Sequence, residues 1–202
     1  MKKQIVLIVA IACLATTLSA QSDTVGRNFW KPKPRNYEVK QAFEVESLVP
    51  MFFTGGYHFG VGYRYKKFRV RASVINGGTY NVDVQAVSGT VEGYKRYYTT
   101  SPGFFMGYNV WKNLEVYGYY ERHTFKIEQM LTGEKQNLPS NDFGIGMSYQ
   151  FFIGRTFYIQ PGVHTYFRAE QSIAFTNGGT YTVPTFEISP VVRLGMRLWR
   201  KY

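Results

Sequence analysis

Charged side chains share one face of most apolar-rich segments in this sequence. In the segment Tyr57–Tyr65, His58 and Arg64 fall on one face and aromatic residues fall on the other. Alternation with a period of two is typical of a β-strand between two different surroundings. By this parity the polar face carries Glu38, Lys40, Glu44, Glu46, Arg64, Arg69, Arg71, Glu115, Glu121, Glu187, Arg193 and Arg197. If the face is enclosed, these charges must pair with one another, so the residues are candidates for a buried network of ion pairs.

The three histidines also fall on the polar face. His58, His123 and His164 lie at similar distances from short turns, so their rings could converge. Three imidazoles can bind zinc or respond to pH. However, the three residues belong to the second, fifth and seventh of the predicted strands, which are not neighbours. Three polar side chains with separate partners are the simpler interpretation, and no metal or other cofactor is predicted.

Eight alternating segments could position these residues. They are Tyr37–Leu48, Phe53–Tyr65, Phe68–Ile75, Tyr98–Trp111, Leu114–Gln129, Asp142–Phe152, Thr156–Phe175 and Tyr181–Tyr202. The joins at Lys66-Lys67, Lys112-Asn113 and Gly154-Arg155 are tight, whereas Asn76–Arg96 and Leu131–Asn141 are long. Short periplasmic turns and longer outer loops are typical of bacterial outer-membrane barrels. The pattern predicts an all-β fold: a closed antiparallel up-and-down transmembrane β-barrel of about eight strands.

Alternation alone does not say which face points outward. A soluble exported barrel that binds a small apolar ligand would turn its apolar face inward, and this alternative stays open. The polar face also carries Gly60, Gly62, Gly107, Gly144, Gly146 and Gly195. Glycine weakens a water-facing strand, whereas the crowded interior of an eight-stranded barrel needs small residues beside large ones. Glycine therefore favours a polar interior and an apolar surface that faces lipid.

Two features depart from a regular barrel. Pro161 and Pro190 fall inside strands, which predicts a bulge or kink at each. In the fifth strand, Phe125 and Ile127 take the face opposite to Leu114. The apolar residues thus change to the opposite face along this strand, and we expect the change to lie above the membrane.

The first 36 residues stand apart from the alternating segments. Residues 1–20 combine two lysines, the apolar run Ile5–Leu14 and a small-residue cleavage site at Ala20, as in a secretory signal peptide. Lipidation at Cys13 is an alternative with a poor lead-in sequence. Residues 21–36 contain two prolines and predict an extended periplasmic lead-in. The barrel domain then spans 37–202.

The charge and composition of the chain limit the classes of partner that it can be expected to bind. Without Lys2 and Lys3 the mature chain keeps 22 basic and 13 acidic residues and has no cysteine. An exported basic chain meets acidic lipid headgroups more readily than nucleic acid, so no nucleic-acid partner is predicted. The chain holds 17 Tyr, 16 Phe and 20 Gly, a composition that favours strands.

The signal, the alternating strands, the rhythm of turns and the ending Val192–Tyr202 resemble the small eight-stranded outer-membrane barrels of the OmpA/OmpX type. The final aromatic residue, Tyr202, looks like the signal read by the barrel-assembly machinery, although Arg200 and Lys201 depart from it. The resemblance implies a porin-like transmembrane protein in the cell envelope of a didermic (Gram-negative) bacterium. It also implies outer-membrane lipid and the assembly machinery as partners.

The function expected from this architecture is a structural or surface-interaction role. The outer loops 76–96 and 131–141 would be offered to partners, and polar side chains would plug the lumen. A lipid A-modifying enzyme is the alternative. Lipid A deacylases of this size carry a serine two residues after a histidine, and neither His123 nor His164 is followed by one. The acyltransferase type needs an assembled His, Asp and Ser, which the spacing here does not suggest. No catalytic residue is predicted, and the sequence has no phosphate-binding loop.

Overall fold

Antiparallel strands close on themselves into a barrel, as the sequence predicts. The structure, a computed structural model, describes residues 39–84 and 91–201. The predicted signal peptide, the lead-in, Glu38 and Tyr202 lie outside the described residues. In chain order the strands are β1 (Gln41–Leu48), β2 (Tyr57–Tyr65), β3 (Phe68–Asn76), β4 (Tyr94–Tyr98), β5 (Ser101–Trp111), β6 (Leu114–Gln129), β7 (Lys135–Tyr149), β8 (Phe151–Ile153), β9 (Phe157–Phe167), β10 (Gln171–Ala174), β11 (Thr180–Val183) and β12 (Phe186–Lys201). Short 3-10 segments occupy Val49–Phe53 and Val82–Val84.

Eight barrel strands arise from these twelve segments because two barrel strands are interrupted. β4 and β5 both pair with β6 and together form one barrel strand. β7 and β8 likewise both pair with β9. β12 pairs with β9 on one side and with β1 on the other, which closes the barrel. β10 and β11 form a separate hairpin between β9 and β12. The predicted closed, eight-stranded, all-β architecture is confirmed.

No helix within the described residues is long and apolar enough to cross a membrane.

The three predicted tight turns lie together at one end of the barrel, called the tight-turn end below. Lys66, Lys112 and Gly154 adopt φ values of 53°, 45° and 70°. Two-residue hairpin turns need such left-handed backbone because their twist then matches that of the strands. Two of the three positions are filled by lysine, which the left-handed region does not favour. The opposite end is called the open end.

The open end differs from the sequence expectation. The predicted loop 131–141 is largely strand, since β7 already begins at Lys135. The predicted seventh strand ends at Phe167 rather than Phe175, and the eighth begins at Phe186 rather than Tyr181. The intervening residues form the β10–β11 hairpin, whose turn has Gly178 at φ 83°. A turn sequence rich in Asn and Gly closes this small hairpin beyond the barrel wall.

Apolar residues switch faces along the fifth strand, as predicted: Val116 faces outward, whereas Phe125 and Ile127 face inward. The switch does not come from a shift in the backbone. β6 pairs with β7 without a shift from Leu114 to Glu128. Its odd-numbered residues point inward throughout, and Phe125 and Ile127 are fully buried. The orientation of the side chains is therefore constant along the strand. What changes is the chemistry of the interior, which is polar near the tight turns and apolar near the open end.

The two prolines lie within continuous strands, and neither produces a bulge between β9 and β12. Pro190 pairs with Val163 and Pro161 with Val192 in one unbroken register. Pro161 lies opposite the interruption between β7 and β8. Pro190 lies beyond the end of the β1–β12 pairing at Arg193. Proline is tolerated where strand pairing is interrupted or ends, because its missing N–H then breaks no ladder.

Candidate functional site

The outer wall of the barrel is apolar over most of its height. Its exposed large side chains include Phe59, Tyr63, Phe68, Val70, Phe104, Met106, Phe143, Ile145, Met147, Ile159, Val163, Phe167, Leu194 and Leu198. The inward residues of the same strands are mostly arginine, glutamate, glutamine and tyrosine. This distribution is the inverse of a soluble barrel with an apolar ligand cavity. A wall with apolar residues outside and polar residues inside matches a lipid-facing barrel.

Arg69 is the centre of a charged cluster in the barrel interior. Its Nε lies 2.7 Å from Glu44, its Nη2 2.8 Å from Glu46 and its Nη1 3.0 Å from Glu115. The Nη2 group also donates to the Tyr158 hydroxyl at 2.8 Å. One guanidinium thus joins three carboxylates from two different strands. Such planar, multidentate bonding is what arginine provides and lysine does not.

Four further arginines complete this cluster, which is called the lower network. Its members are Glu44, Glu46, Glu115, Arg64, Arg69, Arg71, Arg193 and Arg197, all of them buried. Arg71 and Arg193 both reach Glu46, at 3.0 and 3.3 Å. The structure thus brings together eight of the ion-pair candidates identified from parity. Lys40, which the parity also places inward, is exposed at the tight-turn end.

The lower network has five guanidinium groups for three carboxylates, and aromatic rings lie against the surplus cations. The Arg71 guanidinium lies 4.6 Å from the centre of the Tyr117 ring and 5.0 Å from that of Phe105. The Arg193 guanidinium lies 5.8 Å from both rings. Aromatic faces attract cations, and this attraction strengthens when water is excluded.

Glycines on the polar face make room for these rings. Gly146 is the cross-strand partner of Tyr117, and a Cβ atom at this position would overlap the tyrosine ring. Gly195 lies in the same way against the ring of Tyr158. A large side chain can cross the narrow interior only where the facing residue has no side chain. The glycine pattern of the sequence therefore reflects the packing of the interior.

The three histidines do not share a site. His164 Nε2 lies 2.7 Å from Arg193 Nη2. His58 Nδ1 accepts a hydrogen bond from the backbone N–H of Leu48 at 3.2 Å. His123 Nε2 lies 3.1 Å from Glu121. Among residues 39–84 and 91–201, no group of three His, Cys, Asp or Glu side chains is placed to hold a metal ion.

A second charged cluster, the upper network, lies toward the open end. It consists of Asp83, Arg96, Glu121, His123, Asp142, Arg168 and Glu187. Arg96 binds Asp83 at 2.8 Å and also pairs with Glu187. Arg168 binds Asp142 at 2.7 Å and shares Glu187 with Arg96. Burial raises the pKa of Asp83 even though Arg96 is adjacent.

Sequence reasoning missed four members of the upper network. Asp142 has the same parity as Gly144, and Arg168 the same parity as His164, so alternation could have found both. Asp83 and Arg96 fall inside the predicted loop 76–96, where alternation gives no information about side-chain direction. Only the folded position of that segment reveals their pairing.

The upper network also brings His123, Ser140 and Asp142 together, although their spacing does not suggest it. The Ser140 hydroxyl donates to Asp142 at 2.5 Å rather than to the imidazole, and His123 instead contacts Glu121 at 3.1 Å. An activated serine needs its proton accepted by the base. All three side chains are also buried, at 1%, 2% and 0% exposure. The geometry favours a structural hydrogen-bonded group over a nucleophile that meets a lipid.

The open end forms a small apolar core of its own, called the cap. Its buried residues are Met51, Ile75, Val82, Tyr98, Phe125, Ile127, Phe175, Tyr181 and Val183. Two hydrogen bonds connect the β6–β7 hairpin to the β10–β11 hairpin. Gln136 Nε2 donates to the carbonyl of Ala174 at 2.9 Å, and Thr176 N donates to Glu134 at 3.0 Å. Hydrogen bonds from Gln136 and Thr176 lower the pKa of Glu134. The outward side chains of this region include Arg122, Lys126, Lys135 and Asn137.

No protein-family model matches the chain, and no curated protein does either. Solved structures do match. The N-terminal β-barrel domain of OprF from Pseudomonas aeruginosa has 11% identity and a TM-score of 0.50, over 80% of this chain and 99% of that domain. A major outer membrane protein from Thermus thermophilus has 13% identity and a TM-score of 0.44, over 78% of this chain and 99% of that one. Neisserial surface protein A has 11% identity and a TM-score of 0.44, over 79% of this chain and 95% of that one.

The chain has the fold of the small eight-stranded outer-membrane barrels. At these identities the likeness concerns the fold alone.

Proposed function

We propose that this protein is an integral outer-membrane β-barrel of a didermic bacterium, exported by its signal peptide. The barrel wall crosses the lipid, and the cap is offered to partners outside. The observation that carries the proposal is the inverted polarity of the wall, with residues such as Ile145 and Phe143 exposed and Arg69 buried. A soluble monomer rarely exposes a continuous apolar surface of this extent, whereas a bilayer requires one.

The proposal includes a lumen that is plugged by side chains. An eight-stranded barrel leaves an interior only wide enough for side chains to fill. Here the lower network, the aromatic rings around Phe105 and the upper network follow one another along the interior. We expect purified protein in a planar bilayer to give no steady conductance. A stable, open-channel current at neutral pH would contradict the plugged lumen.

The cap supports the proposed role in surface interaction. It has its own core, so its outer side chains are presented on ordered strands rather than on long loops. Phe53 and Leu131 are 85% and 86% exposed at the open end, which also exposes charged residues such as Lys135. Large apolar side chains exposed within a polar surface are common where proteins bind one another. The predicted loop 76–96 contributes β4 and the 3-10 segment to the cap, and residues 85–90 of that loop lie outside the described residues.

The location is tested by fractionation and gel mobility. Washed outer membranes should contain the protein in a form whose mobility on a gel changes after heating, as a closed barrel unfolds only when boiled in detergent. Recovery in the soluble periplasmic fraction would overturn the membrane proposal and restore the soluble barrel.

The enzymatic alternative is tested separately. If the Ser140, His123 and Asp142 group is structural, the lipid A mass profile of a deletion strain should equal that of its parent. An acyl chain gained or lost in that profile, and restored by the wild-type protein but not by Ser140→Ala, would favour the enzyme.

A further inference from the structure

The basic surplus of the described residues is confined to one end of the barrel. The two networks inside the barrel contain seven arginines and seven carboxylates, so the interior is balanced. The outer surface of the open end carries Lys95, Arg122, Lys126 and Lys135 against Glu92, Glu128, Glu134 and Glu170. The tight-turn end exposes Lys40, Lys66, Lys67, Lys112, Arg155 and Lys201. No acidic residue within 39–84 and 91–201 lies on the surface at this end.

These six residues, called the basic rim, surround the barrel at one height. Backbone hydrogen bonds connect Lys40 to Lys201 at 2.8 Å and Lys66 to Lys40 at 2.7 Å. On the other side of β12, the guanidinium of Arg200 donates to the carbonyl of Arg155 in the third tight turn at 2.8 Å. The three tight turns supply the other positions. The charges therefore form a ring rather than a patch on one side.

Each lysine of the first two turns lies beside an aromatic ring of the outer wall. The ammonium of Lys112 is 4.6 Å from the centre of the Trp111 ring, and that of Lys66 is 5.4 Å from the Tyr65 ring. Lys67 lies 5.9 Å from the ring of Tyr108. Aromatic rings of membrane proteins concentrate at headgroup depth, and lysine stems extend along apolar surface to place their charge there.

We infer that the basic rim binds the phosphate headgroups of anionic phospholipids in the leaflet that meets the tight turns. The inference rests on the proposed function, because the rim meets headgroups only if the wall crosses a bilayer. Charge complementarity identifies the partner: six exposed cations, three of them beside aromatic rings of the outer wall, match an anionic headgroup layer around the circumference. Each basic side chain near an anionic membrane surface strengthens such binding, and salt weakens it.

The test uses the full-length mature chain in vesicles of phosphatidylcholine with and without phosphatidylglycerol. Spin-labelled phosphatidylglycerol and phosphatidylcholine report which lipid is enriched in the shell around the protein. The rim variant carries K66Q, K67Q and K112Q. The control variant removes the same number of charges from the open end, with K95Q, R122Q and K126Q. Gel mobility before and after heating shows which samples hold a folded barrel.

The wild type and the control variant should prefer phosphatidylglycerol by roughly fivefold, the order of effect of one basic residue near an anionic surface. The rim variant keeps three of the six rim cations and should prefer phosphatidylglycerol more weakly than the control variant does, and raised salt should reduce the preference in the wild type. Equal preference in the folded rim variant, or none in the folded wild type, would overturn the inference and leave the barrel proposal intact. A wild type that never acquires the heat-sensitive form in vesicles would instead overturn the proposed function.

Discussion

The barrel wall and the cap share strands such as β6 but have opposite polarity. β6 passes through both regions with its odd-numbered residues inward. Near the tight turns the inward residue is Glu115, which binds Arg69; near the open end the inward residues are Phe125 and Ile127. The outward residues change in the opposite sense, from the apolar Val116 on the wall to the charged Lys126 on the cap. The backbone fixes which residues point inward, and the surrounding medium decides what they must be.

Each region meets a different constraint. In the wall, lipid requires an apolar exterior, and the interior can then be polar only if its charges are paired within a network. In the cap, water covers the exterior, so the apolar residues gather inside as in a soluble protein. The upper network lies between the two regions. The inversion along one strand therefore indicates where the barrel leaves the lipid.

The largest effect should come from the centre of the lower network. Arg69→Gln leaves Glu44, Glu46 and Glu115 without their shared cation, and breaking a buried ion pair costs about 3–5 kcal/mol. The free energy of unfolding, measured by urea titration in vesicles, should fall by that amount. Arg122→Gln, which removes an exposed guanidinium from the open end, is the control and should change little. An unchanged urea midpoint for Arg69→Gln would show that this network does not stabilise the wall.

A comparable effect in the cap should remain local. Phe125 is fully buried in the cap core, and replacing a buried phenylalanine by alanine costs about 3–5 kcal/mol. We expect Phe125→Ala to make the open end sensitive to protease while the heat-sensitive barrel form persists. Lys126→Ala, at the next, outward position, should leave both properties unchanged. Loss of the barrel form in Phe125→Ala would mean that the cap and the wall unfold as one unit.

A smaller loss of stability should distinguish a glycine that faces the interior of the wall from one that faces its outer surface. A Cβ atom at Gly146 would overlap the ring of Tyr117, whereas one at Gly118 would have only the carbonyl of Gly144 near it, at 3.9 Å. Overpacking of this kind typically costs about 1–3 kcal/mol. Gly146→Ala should lower the free energy of unfolding by that amount, and Gly118→Ala should not lower it. Equal effects of the two changes on the urea midpoint would argue against a tightly packed lumen.

The smallest effect concerns pH and the contact between the two hairpins of the cap. Hydrogen bonds from Gln136 and Thr176 lower the pKa of Glu134 below its usual 4.5. Because the folded pKa is below the unfolded one, the contact contributes stability above pH 4.5 that is lost as the pH falls through the lowered pKa. Protection of the Thr176 amide from hydrogen exchange should fall over that window, and Glu134→Gln should remove the pH dependence. Protection that rises on acidification would give the wrong sign.

Alternation predicted the barrel because it follows from backbone geometry. It gave the eight strands, the three tight turns and the inward side of the lower network. It failed where tertiary contacts decide. The apolar residues change faces near Phe125 because the strand leaves the lipid and enters water, and the sequence of one strand does not reveal this change of surroundings. The pairing of Asp83 with Arg96 depends on the path of a segment without periodicity. The β10–β11 hairpin was misassigned because its short strands read as extensions of their longer neighbours.

The inversion of polarity is tested most directly by introducing an arginine at either of two outward positions of β7, one on the wall and one on the cap. Ile145 faces outward on the wall and is 59% exposed, and Asn137 faces outward on the cap. Urea unfolding in vesicles should show a loss of about 2–4 kcal/mol for Ile145→Arg, because a charge is then placed on the lipid face. Asn137→Arg should change stability by no more than about 0.5 kcal/mol, because that position faces water. Equal stability of the two variants would contradict a wall that faces lipid and a cap that faces water.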